Sequence, residues 1–328
     1  MSPSLELRTL TDGGQPAESV AQALVAWLDA ARRSLDLALY DVRLPGAVGD
    51  EVARALRAAR ARGVRVRIAI HDPRTRPPGH TSPPPATRPD ILAGSGADIR
   101  RIDGDGELMH HKFVVRDGGA LWCGSTNWTL DSWSREENVI VTADAPAIAI
   151  GTARVRPWFC PGRGPELAHR IAARIDRARR RIRIASPVLT SAPVLSALAE
   201  VLDERRVDAT GIVDITQCDQ ALEQWMDDDG HVSWQAPVLE RVLTGLGFAG
   251  ERSTPYAPDS IHDFMHAKVS VVDDVVFAGS YNLSHSGEEN AENVLEIADP
   301  ALAERLAHWI DELRARYPPA SPRPSMRP

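Results

Sequence analysis

The sequence is poor in cysteine and has no long apolar run, and both absences restrict the class of protein it can encode. Its three cysteines, among 328 residues, are odd in number and widely spaced, so they form neither a disulfide framework nor a zinc-binding pattern. No run of about 18 apolar residues occurs, and we therefore expect no transmembrane segment. Residues 1–6 lack the basic and then apolar order of an export signal. Together these absences predict a globular protein of a reducing cytoplasm.

An excess of positive charge is also absent. The formal net charge is −7, and the second half of the chain carries nearly all of the negative excess. Proteins that hold long duplex DNA usually have a basic surface, so any contact of this chain with nucleic acid has to be local. With 43% hydrophobic and 25% charged residues, the composition is otherwise that of a globular chain long enough for two domains.

One short pattern occurs twice in the chain. Both copies read H-x-K-x4-D and then G-S-x-N, and a Glu-Asn pair begins 10 residues after each asparagine. The first copy contains His110, Lys112, Asp117, Ser125, Asn127 and Glu137, and the second contains His266, Lys268, Asp273, Ser280, Asn282 and Glu292. Because the offset between the copies stays at 155 or 156 residues, the chain is predicted to consist of two similar halves.

Helical and strand patterns alternate within each half. Apolar residues at helical spacing in residues 18–33 predict a helix, and strict alternation in residues 64–70 predicts a strand. This alternation indicates an α/β fold with covered sheets. Two prolines and a glycine at residues 156–162 indicate a crossing between the halves. We therefore predict an N-terminal half over 1–160, a C-terminal half over 161–317 and a disordered tail over 318–328.

Two segments break the alternation of helices and strands. Residues 72–90 are rich in proline, and residues 217–237 are polar with two tryptophans and an acidic run at 227–229. Each segment is either a plain surface insertion or a flap over a site. The sequence leaves both interpretations open.

The repeated residues suit the chemistry of a phosphodiester. On a strand, His110 and Lys112 point to the same face and His111 points to the other. Positive charge and hydrogen-bond donors stabilise the oxygens of a phosphoryl group, and two lysines with two asparagines provide both without a metal. One neutral histidine can attack phosphorus while the other, protonated, gives its proton to the leaving oxygen. Because this mechanism needs two histidines, the halves should face each other across one site.

A carboxylate on the far ring nitrogen would hold each imidazole in the required tautomer and stabilise its cationic form. Glu137 and Glu292 are the candidates for this orienting role. Asp117 and Asp273 follow the lysines in predicted turns, where aspartate is common for backbone reasons, so we expect both to be structural. His111 has no counterpart, because Ala267 takes its place in the second copy. His262 and His285 have no pattern around them and are left unassigned.

The paired motifs resemble those of the phospholipase D superfamily, which carries two HKD motifs. The resemblance implies an α/β sandwich in each half, a mixed sheet flanked by helices, with the halves related by a pseudo-two-fold axis. It also implies a phosphohistidine intermediate and no cofactor or metal. Matched position by position, the resemblance implies that the catalytic residues are His110, Lys112, His266 and Lys268, with His110 as the nucleophile. It implies that the phosphate-binding residues are Ser125, Asn127, Ser280 and Asn282.

The superfamily contains both lipid enzymes and nucleases, so the motifs do not choose the substrate. After G-S-x-N the chain continues with Trp128-Thr129 and Leu283-Ser284, which resembles small bacterial endonucleases, and it lacks the Asp and Arg-Ser pair of lipid synthases. Acidity near residues 227–229 disfavours a polyanion. We expect a nuclease acting on DNA or RNA, with a soluble phospholipase D or phosphatidyltransferase and a non-catalytic binding module as alternatives. Trp128 and Trp133 are expected in the core, and the oligomeric state stays open.

Overall fold

The secondary-structure elements of the two halves follow one another in a similar order. The computed structural model describes residues 4–72, 90–103, 107–143, 149–150, 153–227, 234–254 and 262–321. The elements up to residue 143 are β1 (Leu5–Leu10), α1 (Ala17–Asp29), β2 (Ser34–Leu39), β3 (Val42–Arg43), α2 (Gly46–Ala61), β4 (Arg65–His71), α3 (Asp90–Ala93), β5 (Asp98–Ile102), β6 (Lys112–Arg116), β7 (Ala120–Gly124), β8 (Trp128–Thr129), α4 (Leu130–Ser134) and β9 (Glu136–Ala143). The later elements are β10 (Ala149–Ile150), β11 (Ala153–Phe159), α5 (Gly164–Asp176), β12 (Arg181–Ser186), α6 (Ala192–Glu204), β13 (Asp208–Asp214), α7 (Ile215–Asp227), α8 (Gln235–Gly245), β14 (Ala249–Glu251), β15 (Phe264–Met265), β16 (Val269–Val272), β17 (Val275–Gly279), α9 (His285–Glu289), β18 (Asn293–Ala298) and α10 (Pro300–Arg314).

Two mixed β-sheets carry the fold, and they share one topology. The first sheet has the order β1-β9-β7-β6-β2-β4-β5, and the second continues from β10 as β11-β18-β17-β16-β12-β13-β14. In the first sheet β2, β4 and β5 are parallel, as are β12, β13 and β14 in the second. The repeat in the sequence is therefore a repeat of the fold, and the predicted architecture of two similar α/β halves is confirmed.

Helices cover the outer face of each sheet. Apolar side chains of α1 and α2, such as Leu24 and Leu56, pack with Ile68 of the first sheet. Likewise α5 and α6 place Ile171 and Leu198 against the second sheet. Burial of such apolar surface is the main favourable contribution to the folding of each half.

A third core joins the two halves. Val141 of the first sheet lies in one apolar cluster with Val269 and Ile297 of the second. Helix α10 adds Leu306 and Ile310 to this cluster, and its first turn is capped by Asp299, whose Oδ1 accepts a hydrogen bond from the Leu302 N–H at 3.0 Å. The inner faces of the sheets are thus covered by each other and by α10. Within the described ranges, no helix has the length and apolar character needed to cross a membrane.

The segment predicted to cross between the halves is partly a strand. Residues 156–162 were expected to be a crossing that ends the first half at residue 160, but Ala153–Phe159 is a strand of the second sheet that pairs with β18. Pro157 is tolerated in this strand because β10, on the other side, pairs only with Ala153 and Arg154 in the described part of the chain. The chain therefore passes from one sheet to the other after Ala143.

The tail and the two irregular segments differ partly from expectation. Pro318 accepts a hydrogen bond from Gly250 N–H, and Ala320 is buried, so the first residues of the predicted disordered tail pack on the second half. Residues 322–328 and nearly all of the segment 72–90 lie outside the described residues. The segment 217–237 contains most of α7 and the start of α8, with 228–233 outside the described ranges.

Candidate active site

The repeated motifs meet where the two sheets come together. The chain just before β6 forms a parallel bridge between Met109 and Ala291, and His110 N–H donates to Ala291 O at 3.0 Å. In the other half, β15 pairs with β9, so that Met265 lies opposite Glu137. Each motif strand is thus hydrogen-bonded to the opposite half. The two histidines consequently enter one site between the halves.

The histidines and lysines of this site are almost fully buried. The exposed fractions are 5% for His110, 3% for Lys112, 6% for His266 and 4% for Lys268. Lys112 Nζ donates to His110 O at 2.7 Å, and Lys268 Nζ donates to His266 O at the same distance. This matching geometry holds each ammonium group beside its own histidine. The structure therefore brings together all four residues that the sequence singled out as catalytic.

Burial governs the protonation of these four groups. It lowers the pKa of Lys112 to about 7 and lowers the pKa of Lys268 well below its usual value. The pKa values of His110 and His266 are also lowered, first by burial and then by the positive lysines of both halves. Burial therefore favours the neutral form of both histidines. A bound anion would supply the missing negative charge and favour the cationic forms.

Glu292 contacts the first histidine from the opposite half. Its Oε1 lies 2.8 Å from His110 Nδ1, and the carboxyl group is fully buried. Burial raises the pKa of Glu292 to about 8, against the opposing effect of Lys112. Because Nδ1 faces this carboxyl group, Nε2 is the ring nitrogen left for chemistry. The structure thus places Glu292 where the sequence predicted an orienting group.

The second histidine is held differently. His266 Nδ1 lies 3.2 Å from Asn138 Oδ1 and 3.3 Å from Glu136 Oε2. Asn138 Nδ2 donates to the same Glu136 oxygen at 3.0 Å. Burial raises the pKa of Glu136 to about 7, while Ser132 and Asn138 hydrogen bonds lower it. The sequence did not single out either Glu136 or Asn138.

The prediction that Glu137 orients a histidine is wrong. Gly124 pairs with Ile140 in the first half, whereas Gly279 pairs with Val294 in the second, so the first half has one extra residue before this strand. Asn138 is therefore the spatial counterpart of Glu292, although the Glu-Asn pairs align in the sequence. Alternation along the strand turns Glu137 to the opposite face, where it accepts a hydrogen bond from Tyr317 Oη at 2.7 Å.

The two motif serines bind the neighbouring strand. Ser125 Oγ donates to Asn138 Oδ1 at 2.6 Å and accepts from Val139 N–H at 3.0 Å, and Ser280 Oγ accepts from Asn293 N–H at 3.0 Å. Both serines are fully buried. They fix the strands that carry the histidine-contacting groups, and a direct contact with phosphate stays a prediction for them.

The motif glycines allow this close approach of strands. A Cβ atom at Gly124 would lie 2.1 Å from Val139 O, and one at Gly279 would lie 2.0 Å from Asn293 O. Both distances are impossible for a real side chain. Glycine before each serine is thus required by the packing of the two strands.

The motif asparagines have unused polar groups. Asn127 and Asn282 are half-buried, and the side-chain oxygen of each is buried without a hydrogen-bond partner. Buried polar groups are normally paired, so each amide is available to a ligand. Because the unpaired atoms are acceptors, the expected contact of these amides with a phosphate stays a prediction.

The motif aspartates are structural, as predicted. Asp117, at φ 56°, accepts hydrogen bonds from the backbone N–H groups of Arg32, Arg33 and Ser34. Asp273, at φ 52°, does the same for residues 179–181. Desolvation raises the pKa of each carboxyl group, but the three backbone donors outweigh it and the net pKa is lowered. Both aspartates tie the turn before a central strand to the end of the motif strand.

The repeated motif does not include the aromatic residues of the site. The Tyr40 ring meets His110 edge-on at 4.6 Å, and Lys112 Nζ lies 4.8 Å from the centre of that ring. Phe264 lies beside His266. A search for repeated residues does not find these groups because they occur in one half only. Trp128 and Trp133 are buried in the core, as predicted.

His111 lies outside the catalytic set. Its side chain points away from His110 and approaches Asn293, with Nδ1 at 3.3 Å from Oδ1. Among the residues that the structure describes, no group of three or more histidine, cysteine, aspartate or glutamate side chains could hold a metal ion. The histidine–lysine pairs of the site are accompanied by three amides, Asn127, Asn138 and Asn282, and by two buried carboxyl groups, Glu136 and Glu292.

Comparisons with known proteins agree with this geometry. Residues 24–154 and 171–314 match the family model described as "Cardiolipin synthase, PLD-like domain". Human mitochondrial cardiolipin hydrolase is 34% identical over 148 residues, 44% of this chain and 54% of that protein. The mouse 5'-3' exonuclease PLD4 is 30% identical over 128 residues, 35% of this chain and 24% of that protein. The chain spans about half the length of the cardiolipin hydrolases that it matches.

A solved structure shares the fold across both halves. The phosphatidylserine synthase of Haemophilus influenzae Rd KW20 has a TM-score of 0.66 and covers 94% of this chain and 86% of its own, at 12% identity. At this identity the likeness concerns the fold alone. Since the family model covers most of both halves, the chain belongs to the phospholipase D-like family described by that model.

Proposed function

We propose that this chain is a phosphodiesterase that cleaves nucleic-acid phosphodiesters through a phosphohistidine intermediate. The observation that carries the proposal is the convergence of two buried histidine–lysine pairs, one from each half. Each histidine has its Nδ1 held by a group of the opposite half. Two imidazoles with free Nε2 atoms and two ammonium groups are the parts that a two-step displacement at phosphorus requires.

His110 is the nucleophile in this proposal, and His266 is the proton donor. His110 Nε2 attacks phosphorus, the bond to the leaving oxygen breaks, and that oxygen takes the proton from His266 Nε2. His266 then removes a proton from water, which attacks phosphorus and breaks the phosphorus–nitrogen bond. The direct contact with Glu292 favours this role for His110, because a carboxylate on Nδ1 stabilises the positive ring formed by attack.

Lys112 and Lys268 stabilise the non-bridging oxygens during both steps. Burial lowers their pKa values more than Glu292 and Glu136 raise them, and a phosphodiester between them favours the charged state. The same anion raises the pKa of His266, so that the ring can carry the proton that the leaving oxygen needs. Asn127 and Asn282 complete the proposed set, with their Nδ2 atoms as donors to the phosphate oxygens.

Nucleic acid is the proposed substrate class, and phospholipid is the second candidate. The residues after each G-S-x-N, Trp128-Thr129 and Leu283-Ser284, support the first. Similarity to a protein named as an exonuclease agrees with it. Similarity to proteins named cardiolipin hydrolase supports the second. The phosphate-binding groups serve either substrate, so direct assays have to separate them.

The test is one assay panel with purified protein in EDTA. It offers single-stranded DNA, duplex DNA, RNA, cardiolipin vesicles and bis(p-nitrophenyl) phosphate to the wild type, to His110→Ala and to His111→Ala. His111 is the matched control because it is adjacent in sequence and points away from His110. We expect nucleic-acid cleavage that is lost in His110→Ala and kept in His111→Ala.

Other outcomes of the panel are equally informative. Cleavage of cardiolipin without cleavage of nucleic acid would show that phospholipid, and not nucleic acid, is the substrate. Loss of activity in EDTA, with recovery on adding a divalent cation, would contradict the metal-free mechanism. No turnover of any of the five would refute the proposed function.

A further inference from the structure

Three rings lead from the proposed proton donor towards the surface. Phe264 lies 5.2 Å from His266 with an interplanar angle of 35°, and His262 lies 5.7 Å from Phe264 at 33°. His266 is buried, whereas Phe264 and His262 are both partly exposed. The rings are thus tilted only moderately from parallel, and the series runs from the buried site outwards.

Among the described residues, the rings on the opposite side of the site are arranged differently. Tyr40 meets His110 edge-on at 68°, and the next ring, His71, lies 5.1 Å from Tyr40 and is fully buried. Residue 108, the counterpart of Phe264 in front of the paired methionines, is a leucine. The aromatic series is therefore a feature of the His266 side alone.

The outer end of the series is fixed to the first half. His262 N–H donates to Asp131 Oδ1 at 3.3 Å, and Arg43 lies 3.7 Å from the other oxygen of that carboxyl group. Phe264 itself belongs to β15, which pairs with Glu136 of the first half. Both rings are consequently held relative to the catalytic site by backbone hydrogen bonds.

We propose that Phe264 and His262 form the leaving-group subsite and that this subsite takes a planar ring, such as a nucleobase. The inference rests on the proposed function, in which His110 attacks and His266 protonates the leaving oxygen. Attacking and leaving groups lie roughly in line at phosphorus, so the group on the leaving oxygen lies on the His266 side. A planar group there can stack on the partly exposed rings, and stacking tolerates any base.

The test compares two esters of thymidine 3′-phosphate, one with a p-nitrophenyl and one with a trifluoroethyl leaving group. The quantity measured is the ratio of their kcat/KM values, which reports the first chemical step for each. Phe264→Leu keeps the apolar bulk and removes the ring, and we expect it to lower the aryl-to-alkyl ratio about tenfold. His262→Leu should lower the ratio in the same direction, which keeps the test valid if one variant folds poorly.

Phe113→Leu is the matched control. Phe113 contacts the non-catalytic His111 at 5.1 Å, so its loss should leave the ratio as in the wild type. An unchanged ratio in Phe264→Leu and His262→Leu would overturn the subsite alone. Failure of the wild type to turn over either ester would overturn the proposed function together with the subsite.

Discussion

Burial opposes the charged forms of the histidines and lysines in the site. Burial lowers the pKa of every basic group in the site and raises the pKa of Glu136 and Glu292. Burial favours the neutral forms of all these groups, and a phosphodiester anion favours the cationic forms of the histidines and lysines. Substrate binding and the protonation of the proton donor are therefore linked at the level of single side chains.

Glu136 should set the protonation of His266. Its carboxylate stabilises the imidazolium, so Glu136→Gln should lower the pKa of His266 in the complex. Because the protonated ring is needed for departure of the leaving group, the basic limb of the pH profile of kcat should move down by about one pH unit. The measurement is the pH dependence of kcat with a saturating alkyl phosphodiester, since kcat reports the pKa values of the complex.

Glu137→Gln is the control for this experiment, since it removes the adjacent carboxylate on the opposite face of the strand. It should leave the basic limb in place. A shift in Glu137→Gln with none in Glu136→Gln would contradict the strand register on which the assignment depends.

Asp117 should contribute to stability and not to catalysis. Its carboxylate accepts three backbone N–H groups, so Asp117→Ala should reduce the free energy of unfolding by about 2 kcal/mol. The pKa of this group is lowered in the folded protein. Its contribution is therefore present above the pKa of the unfolded chain and is lost as the pH falls through the folded pKa.

Denaturant unfolding at neutral and acidic pH measures this contribution, and kcat of the folded variant should match the wild type. Asp117→Asn is the control, because asparagine accepts hydrogen bonds and tolerates a positive φ. A large loss of kcat in folded Asp117→Ala would show that this motif aspartate takes part in the reaction.

At the scale of elements, the sequence predicted most strands and helices and misjudged the register of one. The repeat identified His110, Lys112, His266 and Lys268 because both halves keep the same residues at the same positions. It failed at Glu137, because one extra residue before β9 exchanges the two faces of that strand. Spacing within a single sequence does not reveal whether an inserted residue lies in a turn or shifts a strand.

The strand segment Ala153–Phe159 shows a second limit. Pro157 within it and Pro161 after it indicate a linker locally, but the local pattern cannot show that one side of the strand has few pairing partners in the described part of the chain. The aromatic neighbours of the histidines were missed for a related reason. Tyr40 is distant in sequence from His110, Phe264 lies just before the second motif, and neither residue belongs to the repeat.

The shifted face of β9 creates a pair of buried carboxyl groups between the halves. Glu137 and Glu251 each have a buried Oε2 without a hydrogen-bond partner, and burial followed by the charge of Glu137 raises the pKa of Glu251 to about 11. Tyr317 and the backbone of Asp12 also contact Glu137, and Asp214 and Asp263 add negative charge nearby. Glu251 is therefore protonated in the folded protein at neutral pH.

Glu251→Gln should make the protein more stable at alkaline pH. A raised pKa means that the folded state binds more protons than the unfolded state, so stability declines as the pH rises from about 4.5 towards 11. Glutamine imitates the protonated acid and removes this dependence. Thermal unfolding between pH 6 and about pH 9 should show a higher Tm and a flatter pH dependence for the variant. A lower Tm with an unchanged slope would contradict the protonated state of Glu251.

At the scale of the whole molecule, the two halves complete one another. Glu292 of the second half holds His110 of the first, and Glu136 and Asn138 of the first hold His266 of the second. The sequence predicted this arrangement of two facing halves from chemistry alone, since a double displacement requires two histidines. It did not predict that the two histidines would have different partners. His110 contacts one carboxyl group, and His266 contacts an amide and a carboxyl group.

The most direct test of this account is to trap the covalent intermediate. Wild type, His110→Ala and His266→Ala are mixed with an aryl phosphodiester, quenched under alkaline conditions that preserve phosphohistidine, and analysed by peptide mass spectrometry. An aryl leaving group departs without an acid, so His266→Ala should form the adduct on His110 and accumulate it, because the base for hydrolysis is missing. His110→Ala should form none. An adduct on His266 in His110→Ala would reverse the two roles, and turnover without any adduct in the three proteins would contradict the phosphohistidine mechanism.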